Sequence, residues 1–282
     1  MNDKETRVII TGSTGTVGTY ASLFMARLGI ADHLYVASHN PQKAADVFYN
    51  SQVNAAMRGQ KTRVEPLGLD IPDIDMTAET LRRIKPTLIL NLAAAMSLYP
   101  FFPAMRRRQK KMGMIPGFAH TLPKDMALLW PLMKAVKMAV PDTVVVNLSA
   151  PDIASVILTP VDLAPTVGAG TLDSTAYGVK LGIANHLGIH SHRVEVRLIA
   201  HHAIRRHPAK EVPFLLRVMV DGEDHTQRFS QEQLCGFIDH ATDITGVETM
   251  STPVANNASI TAASGVETSR CILCDTGEIR HG

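Results

Sequence analysis

The fold is decided near the start of the chain by the stretch Arg7-Val8-Ile9-Ile10-Thr11-Gly12-Ser13-Thr14-Gly15-Thr16-Val17-Gly18. Its short β-branched apolar run, Val8 to Ile10, is typical of a strand buried on both faces of a parallel sheet. Three glycines follow directly, and residues 20–28 then predict a helix. A strand, a glycine turn and a helix N-terminus form a phosphate site, because free N–H groups and bare glycine backbone can approach a pyrophosphate.

The glycine spacing is GxxGxxG rather than the commoner GxGxxG, and a glycine triplet alone is weak evidence. Two interpretations are open: a dinucleotide site, or a helix-capping loop that holds no ligand. The strand before the turn and the helix after it favour the dinucleotide site. The cofactor-binding residues predicted in the turn are Gly12, Ser13, Thr14, Gly15, Thr16, Val17 and Gly18.

Length and composition exclude several classes of protein. The 282 residues are 45% hydrophobic, which suffices for one large or two smaller α/β domains. A net charge of +2 does not indicate the strongly basic surface that binds nucleic acid. No apolar stretch approaches the roughly 20 residues that are needed to span a bilayer. Three cysteines cannot form a disulfide framework, and Cys271-x-x-Cys274 lacks a second pair for a metal. We therefore expect a cytoplasmic protein without a metal site or membrane partner.

The pattern of elements predicts an α/β protein with two domains. Strands at 33–38, 63–67, 86–92 and 143–147 alternate with helices at 42–57, 77–85 and 124–140, which indicates a Rossmann-type, doubly wound parallel sheet. Pro66 should shorten one strand, and Pro131 should kink one helix. Strands at 193–199 and 214–220, with helices around them, indicate an α+β substrate domain. We predict a dinucleotide-binding domain at 1–150 and a substrate and catalytic domain at 151–282.

The end of the second strand bears on the choice of cofactor. Dinucleotide-binding folds usually place an Asp or Glu here for the ribose hydroxyls, but this chain has Ser38-His39-Asn40-Pro41-Gln42-Lys43. No carboxylate repels a 2′-phosphate, and Ser38, His39, Asn40 and Lys43 are candidate contacts, so we predict NADP rather than NAD. Asn40 is equally a good helix cap before Pro41, and both roles can hold.

Residues after the fourth and fifth strands are expected near the nicotinamide. Ala93 and Ala94 leave room for its ribose, and Asn147 ends the fifth strand. The segment 96–123 lacks clear periodicity and carries four prolines and a basic run at 106–111, so we expect a mobile loop that closes over the site. Arg106 is then a candidate substrate-binding residue, and the alternative is a solvated basic loop.

An aspartate and two histidines in the second half carry the strongest chemical signal. Oxidation of an alcohol releases a hydroxyl proton, and histidine is suited to take it because its pKa is near neutral. A buried carboxylate on the other ring nitrogen would stabilise the imidazolium. Asp173, which precedes a predicted helix, and His201-His202, which follow a predicted strand, could supply such a pair.

These stretches resemble the lactate/malate dehydrogenase family. Gly12, Gly15 and Gly18 match its N-terminal turn, 167–174 (VGAGTLDS) resembles its GSGTxLDS stretch, and 196–203 (VRLIAHHA) resembles the viGEHG stretch that carries its catalytic histidine. The order and spacing agree over most of the chain. The resemblance implies that His202 is the general acid/base, that Asp173 is its partner, and that the protein is a homodimer or homotetramer acting on a small molecule.

Departures from the family pattern concern the substrate. The family's LDSxR arginine, which binds the substrate carboxylate, is Ala176 here. Arg205 and Arg206 could replace the lost charge, although two surface arginines are an equally good interpretation. We therefore expect an oxidoreductase that acts on a hydroxy or keto substrate other than plain lactate or malate.

Two other functions compete with this one. The opening turn also resembles the TGxxGxxG of short-chain dehydrogenases, which need Tyr-x-x-x-Lys, whereas Tyr177 and Lys180 are one residue too close. A non-catalytic NADP-binding sensor would explain the lost arginine but not the retained Asp173 and His202.

Overall fold

The computed structural model describes residues 5–96, 107–108, 110–113, 122–205, 207–245 and 255–281. The chain forms two compact units, Met1–Gly168 with Ile272–Cys274, and Ala169–Cys271 with Asp275–Gly282. The boundary expected after residue 150 falls inside the first unit, because the next helix and a short strand still belong to it.

The first unit contains a parallel sheet with the predicted topology. Its strands are β1 (Arg7–Thr11), β2 (His33–Ser38), β3 (Arg63–Gly68), β4 (Leu88–Asn91), β5 (Val144–Asn147) and β6 (Val167–Gly168). Their order is β3-β2-β1-β4-β5-β6, and every described pairing is parallel. The Rossmann-type doubly wound sheet expected from the sequence is confirmed. Parallel strands bring their carboxyl ends to one edge, where such folds bind ligands.

Helices flank this sheet. They are α1 (Thr16–Leu28), α2 (Pro41–Met57), α3 (Ile74–Ile84), α4 (Leu122–Ala139) and α5 (Pro151–Leu158). Asn40 caps α2 as predicted, because its side chain accepts a hydrogen bond from the Lys43 N–H at 3.1 Å. Helix α3 begins three residues before the predicted start at 77, because the Asp73 side chain caps it by accepting from the Met76 N–H at 3.1 Å. Pro131 is accommodated within α4, where it is buried.

The burial of β1 and the proline in β3 agree with the positions of these strands in the sheet. Val8, Ile9 and Ile10 of β1 are completely buried, as expected for a central strand with both faces covered. Pro66 lies in β3, which pairs only with β2 among the described strands. A proline cannot donate a ladder hydrogen bond, and an edge strand tolerates that loss.

The second unit combines helices with an antiparallel sheet. Its elements are α6 (Thr171–Leu187), β7 (Val194–Ala200), β8 (Phe214–Val220), β9 (Glu223–Asp224), α7 (Gln231–Thr245) and α8 (Ala255–Leu273). The strand order is β7-β8-β9. Helix α6 packs closely on α7, since a Cβ at Gly178 would lie 2.7 Å from the Ala241 Cβ. Within the described ranges, no helix has the length and apolar character needed to cross a membrane.

Candidate active site

The glycine turn after β1 has a geometry that two of its glycines make possible. Gly12 has φ +66°, and a Cβ there would lie 2.8 Å from the Ala93 backbone. A Cβ at Gly18 would lie 2.1 Å from the Gly12 carbonyl oxygen. Gly15 is less crowded, since its Cβ would be 3.4 Å from the same oxygen. The close approach of α1 to the end of β1 therefore requires glycine at 12 and 18.

The first turn of α1 keeps the groups that bind a phosphate. Helix α1 begins at Thr16 after Gly15, whose backbone is extended and which has no side chain to cap the helix. The first turn carries no acidic residue. Its N–H groups and partial positive charge thus meet no carboxylate from the helix itself, and an anion can bind there.

Serine and threonine side chains connect the glycine turn to β2 by hydrogen bonds. Ser13 is completely buried, and its Oγ donates to the Ala37 carbonyl at 3.0 Å. Thr14 Oγ1 lies 3.1 Å from Ser38 Oγ, which also accepts the Asn40 N–H at 3.1 Å. Ser13 and Ser38 therefore support the turn, and their hydroxyls have partners within the protein.

The remaining predicted residues at the end of β2 face solvent. His39 and Lys43 are exposed, on either side of the α2 cap. Their side chains are free to approach a ligand group outside the sheet edge, whereas the Asn40 side chain is engaged as the cap.

Buried polar side chains join the carboxyl ends of three neighbouring strands. Thr11 Oγ1 donates to Asn91 Oδ1 at 2.6 Å, and Asn91 Nδ2 donates to Asn147 Oδ1 at 2.8 Å. Asn91 Oδ1 also accepts the Ala93 N–H at 3.3 Å. The carboxamide of Asn147 is completely buried, so this predicted cofactor residue connects the neighbouring strand ends inside the protein. Ala93 is buried as well, and Ala94 is exposed.

The same network continues to the start of α4. Asn147 Nδ2 donates to the Ser149 carbonyl at 3.0 Å, and Ser149 Oγ donates to Asp125 Oδ1 at 2.8 Å. Asp125 forms an ion pair with Lys124, and both side chains are at least nine-tenths buried. A buried ion pair is tolerated only when further hydrogen bonds satisfy it, and Ser149 supplies one. Sequence reasoning missed Asn91, Ser149 and Asp125, although polar residues ending adjacent parallel strands were a usable signal.

In the second unit, Asp173 is the centre of a buried cluster. It lies in the first turn of α6 and is 1% exposed. Its carboxylate accepts from Ser264 Oγ at 2.8 Å and from the His281 N–H at 3.1 Å, and its Oδ1 lies 3.2 Å from His281 Nδ1. Arg280 forms an ion pair with the same carboxylate. Sequence reasoning did not find the contributions of Arg280 and His281.

The histidines after β7 lie in a short 3₁₀ segment, His202–Arg205, and just before it. His202 is half-buried, while His201 is exposed and its Nδ1 accepts the Ala203 N–H at 3.1 Å. Both Asp173 and His202 are described, and no hydrogen bond between them is present among the described residues. The pairing of His202 with Asp173 stays a prediction.

Of the candidate substrate arginines, the structure describes only Arg205. It is 9% exposed, and its Nη1 donates to Ser174 Oγ at 2.8 Å and to Thr175 Oγ1 at 3.3 Å. This places a guanidinium beside the first turn of α6. Arg106 and Arg206, and most of the segment 96–123, lie outside the described residues.

A tyrosine one turn after Asp173 shares its arginine. Arg280 Nη1 donates to the Tyr177 hydroxyl at 2.7 Å. Burial raises the pKa of Tyr177, an effect that the charge of Arg280 opposes and that of Asp173 reinforces. Lys180 Nζ lies 5.6 Å from the centre of the Tyr177 ring rather than at its hydroxyl. The arrangement differs from the tyrosine–lysine pair that a short-chain dehydrogenase needs.

Comparison with known proteins gives one consistent result. No protein-family model and no curated protein matches the sequence. Among solved structures, the chain is similar to the lactate dehydrogenase of Eimeria maxima with NADH and oxamate, with 16% identity, 97% of this chain and 76% of that chain covered, and a TM-score of 0.64.

Two further structures agree. The lactate dehydrogenase of Cryptosporidium parvum, complexed with lactic acid and nicotinamide adenine dinucleotide, matches with 18% identity over 98% of this chain and 80% of that chain (TM-score 0.65). The malate dehydrogenase of Aeropyrum pernix matches with 18% identity over 97% and 78% (TM-score 0.67). The resemblance seen in the sequence is thus confirmed at the level of structure: the chain has the fold of the lactate and malate dehydrogenases.

Proposed function

We propose that the protein is a nicotinamide-dependent dehydrogenase that transfers hydride between the cofactor and the carbon of a hydroxy or keto substrate. The observation that carries this proposal is the turn between β1 and α1, where Gly12 and Gly18 allow a backbone approach that any side chain would block. The similar dehydrogenases of known structure support it, since two of them hold NADH or nicotinamide adenine dinucleotide.

The first unit fits such a cofactor. The first-turn N–H groups of α1 would hold the pyrophosphate, and the end of β2 would meet the adenosine ribose. With Ser38 in place of a carboxylate, and with His39 and Lys43 exposed nearby, we favour NADP(H). The NAD forms in the similar structures make NAD(H) the natural competitor in any binding experiment.

In this proposal, residues of the second unit carry out proton transfer. A nicotinamide held by the first unit would supply the hydride acceptor for the C–H bond of an alcohol. The hydroxyl proton then passes to the His202 imidazole, and the Asp173 carboxylate stabilises the resulting charge. Ala176 stands where the family has its carboxylate-binding arginine, so the substrate is bound differently from lactate or malate.

Turnover with a panel of hydroxy acids tests the proposal. Purified protein with NADP⁺ or NAD⁺ should reduce the nicotinamide with at least one acid, and His202→Ala should abolish most of that rate. Tight cofactor binding without turnover of any acid or its keto form would favour the sensor instead. Light scattering on the same sample would test the expected homodimer or homotetramer.

A further inference from the structure

The second unit contains a cavity of about 380 Å³ beside the Asp173 cluster. Helix α6, strand β7 and the segment 277–281 line it. Its lining residues are Ala176, Tyr177, Lys180, Glu195, Val196, Arg197, Gly277, Glu278, Ile279 and His281. Such a volume accommodates a small organic molecule.

One lysine in the lining of this cavity stands apart from the ion pairs around it. The cavity's two carboxylates already have partners: Glu195 accepts from Arg197 Nε at 2.7 Å, and Glu278 accepts from Arg270 Nη2 at 2.6 Å. Lys180 has no carboxylate within ion-pair distance in the described part of the chain, and its Nζ lies over the Tyr177 ring. Among the described lining residues, Lys180 is thus the charged side chain without an ion-pair partner.

The position of Lys180 on α6 is informative. It follows Ala176 by four residues, so both lie on one face of the helix, and both line the cavity. Ala176 is where the resembling family carries an arginine for the substrate carboxylate. The positive charge has thus moved one helical turn along the same face.

The segment 277–281 also carries unsatisfied polar groups. Arg280 Nε and His281 Nε2 are buried and have no hydrogen-bond partner among the described residues. Native proteins rarely leave such groups unpaired, because each carries a desolvation cost. His281 lines the cavity and Arg280 precedes it in the chain, and Arg280 Nε is a donor at every physiological pH.

We propose that this cavity binds the carboxylate or phosphate group of a small molecule, with Lys180 as its charge anchor. Identifying that molecule as the substrate rests on the proposed function, whereas binding of the anion itself does not. Lys180 takes the place of the arginine that is absent at 176, and the Tyr177 hydroxyl supplies a further polar contact.

Calorimetric titration of the full chain with malonate, with inorganic phosphate and with the neutral malonamide tests this site directly. We compare the wild type with Lys180→Met, Lys180→Gln, Lys180→Arg and the control Lys134→Met. Lys134 is a matched control because its Nζ also lies over an aromatic ring, 5.3 Å from the centre of Trp130. Binding of NADPH and of NADH is measured separately on each protein.

The expected result is saturable binding of one or both anions and none of malonamide. Lys180→Met and Lys180→Gln should weaken it about ten-fold or more, as expected for a lost charged hydrogen bond, while Lys180→Arg stays within about three-fold. The control should match the wild type. Equal binding of malonamide, absence of saturable anion binding, or full affinity in both neutral variants would overturn the proposal. Lys180-dependent anion binding without binding of either NADPH or NADH would refute the proposed function alone.

Discussion

Asp173 and His281 are in direct contact: Oδ1 of the carboxylate lies 3.2 Å from Nδ1 of the imidazole. An aspartate on one ring nitrogen is the arrangement that prepares a histidine for proton transfer, and the sequence predicted it for His202 instead. The two histidines therefore make different predictions for mutagenesis.

We expect His202 to be the proton carrier and His281 to be part of the support of Asp173. His202→Ala should reduce kcat by roughly 10²–10⁴-fold, the usual share of general acid–base catalysis, with cofactor affinity nearly unchanged. His281→Ala should keep kcat within about ten-fold. His201→Ala is the neighbouring control and should be mild, since His201 Nδ1 only accepts the Ala203 N–H. A large loss in His281→Ala with an active His202→Ala would move the catalytic role to His281.

The hydroxyl of Ser149 should stabilise the first unit. Ser149→Ala leaves the buried Asp125 carboxylate without its 2.8 Å hydrogen bond, so the free energy of unfolding should fall by about 1–3 kcal/mol. Ser51→Ala is the matched control, because Ser51 Oγ is buried in α2 with no hydrogen-bond partner among the described residues. Urea unfolding should show no loss for the control, and equal losses in both variants would count against the network.

Cofactor choice should depend on position 38. The wild type should bind NADPH more tightly than NADH, and Ser38→Asp should reverse the order, because a carboxylate there repels a 2′-phosphate and accepts from ribose hydroxyls. We expect the ratio of the two dissociation constants to change by at least about ten-fold, or ~1.4 kcal/mol. Tighter NADH binding by the wild type would refute the NADP preference.

The ion pair of Arg193 with Asp221 should make stability depend on pH. Hydrogen bonding to Arg193 lowers the pKa of Asp221, and the neighbouring His192 and His225 act in the same direction. A lowered pKa in the folded state means that this stabilisation is complete above the ordinary pKa, about 3.9, and is lost as pH falls through the folded value. Asp221→Asn should therefore reduce stability at neutral pH but not in strong acid.

Asparagine is a suitable replacement at 221, because the residue has φ +50° and asparagine tolerates that conformation. Thermal unfolding of the variant and the wild type across the acid range supplies the measurement. The same loss of stability at every pH would mean that the turn, rather than the charge, is responsible.

Much of the first unit could be predicted because its signals are local. The apolar run from Val8 to Ile10 gives the central strand, the glycines give the turn, and Asn40 before Pro41 gives the start of α2. Each of these three features depends on residues that are close together in the sequence. Local sequence patterns of this kind predict the same elements whatever the rest of the sheet packs against them.

The contacts around the candidate site could not be predicted, because they join distant parts of the chain. His281 meets Asp173 across 108 positions, and Asn91 meets Asn147 across 56. A single sequence shows that such residues are polar but not which of them pair. The family pattern even suggested a different partner for Asp173, namely His202.

The central claim is that the turn between β1 and α1 holds a nicotinamide dinucleotide. Fluorescence titration of NADPH into the wild type, Gly18→Val and the control Gly68→Ala tests it most directly. A side chain at 18 would meet the Gly12 carbonyl, whereas a Cβ at Gly68 has nothing within 4 Å. We predict saturable one-to-one binding that Gly18→Val abolishes and Gly68→Ala retains. Absence of saturable binding of both NADPH and NADH by the wild type, or unchanged affinity in a folded Gly18→Val, would contradict the account.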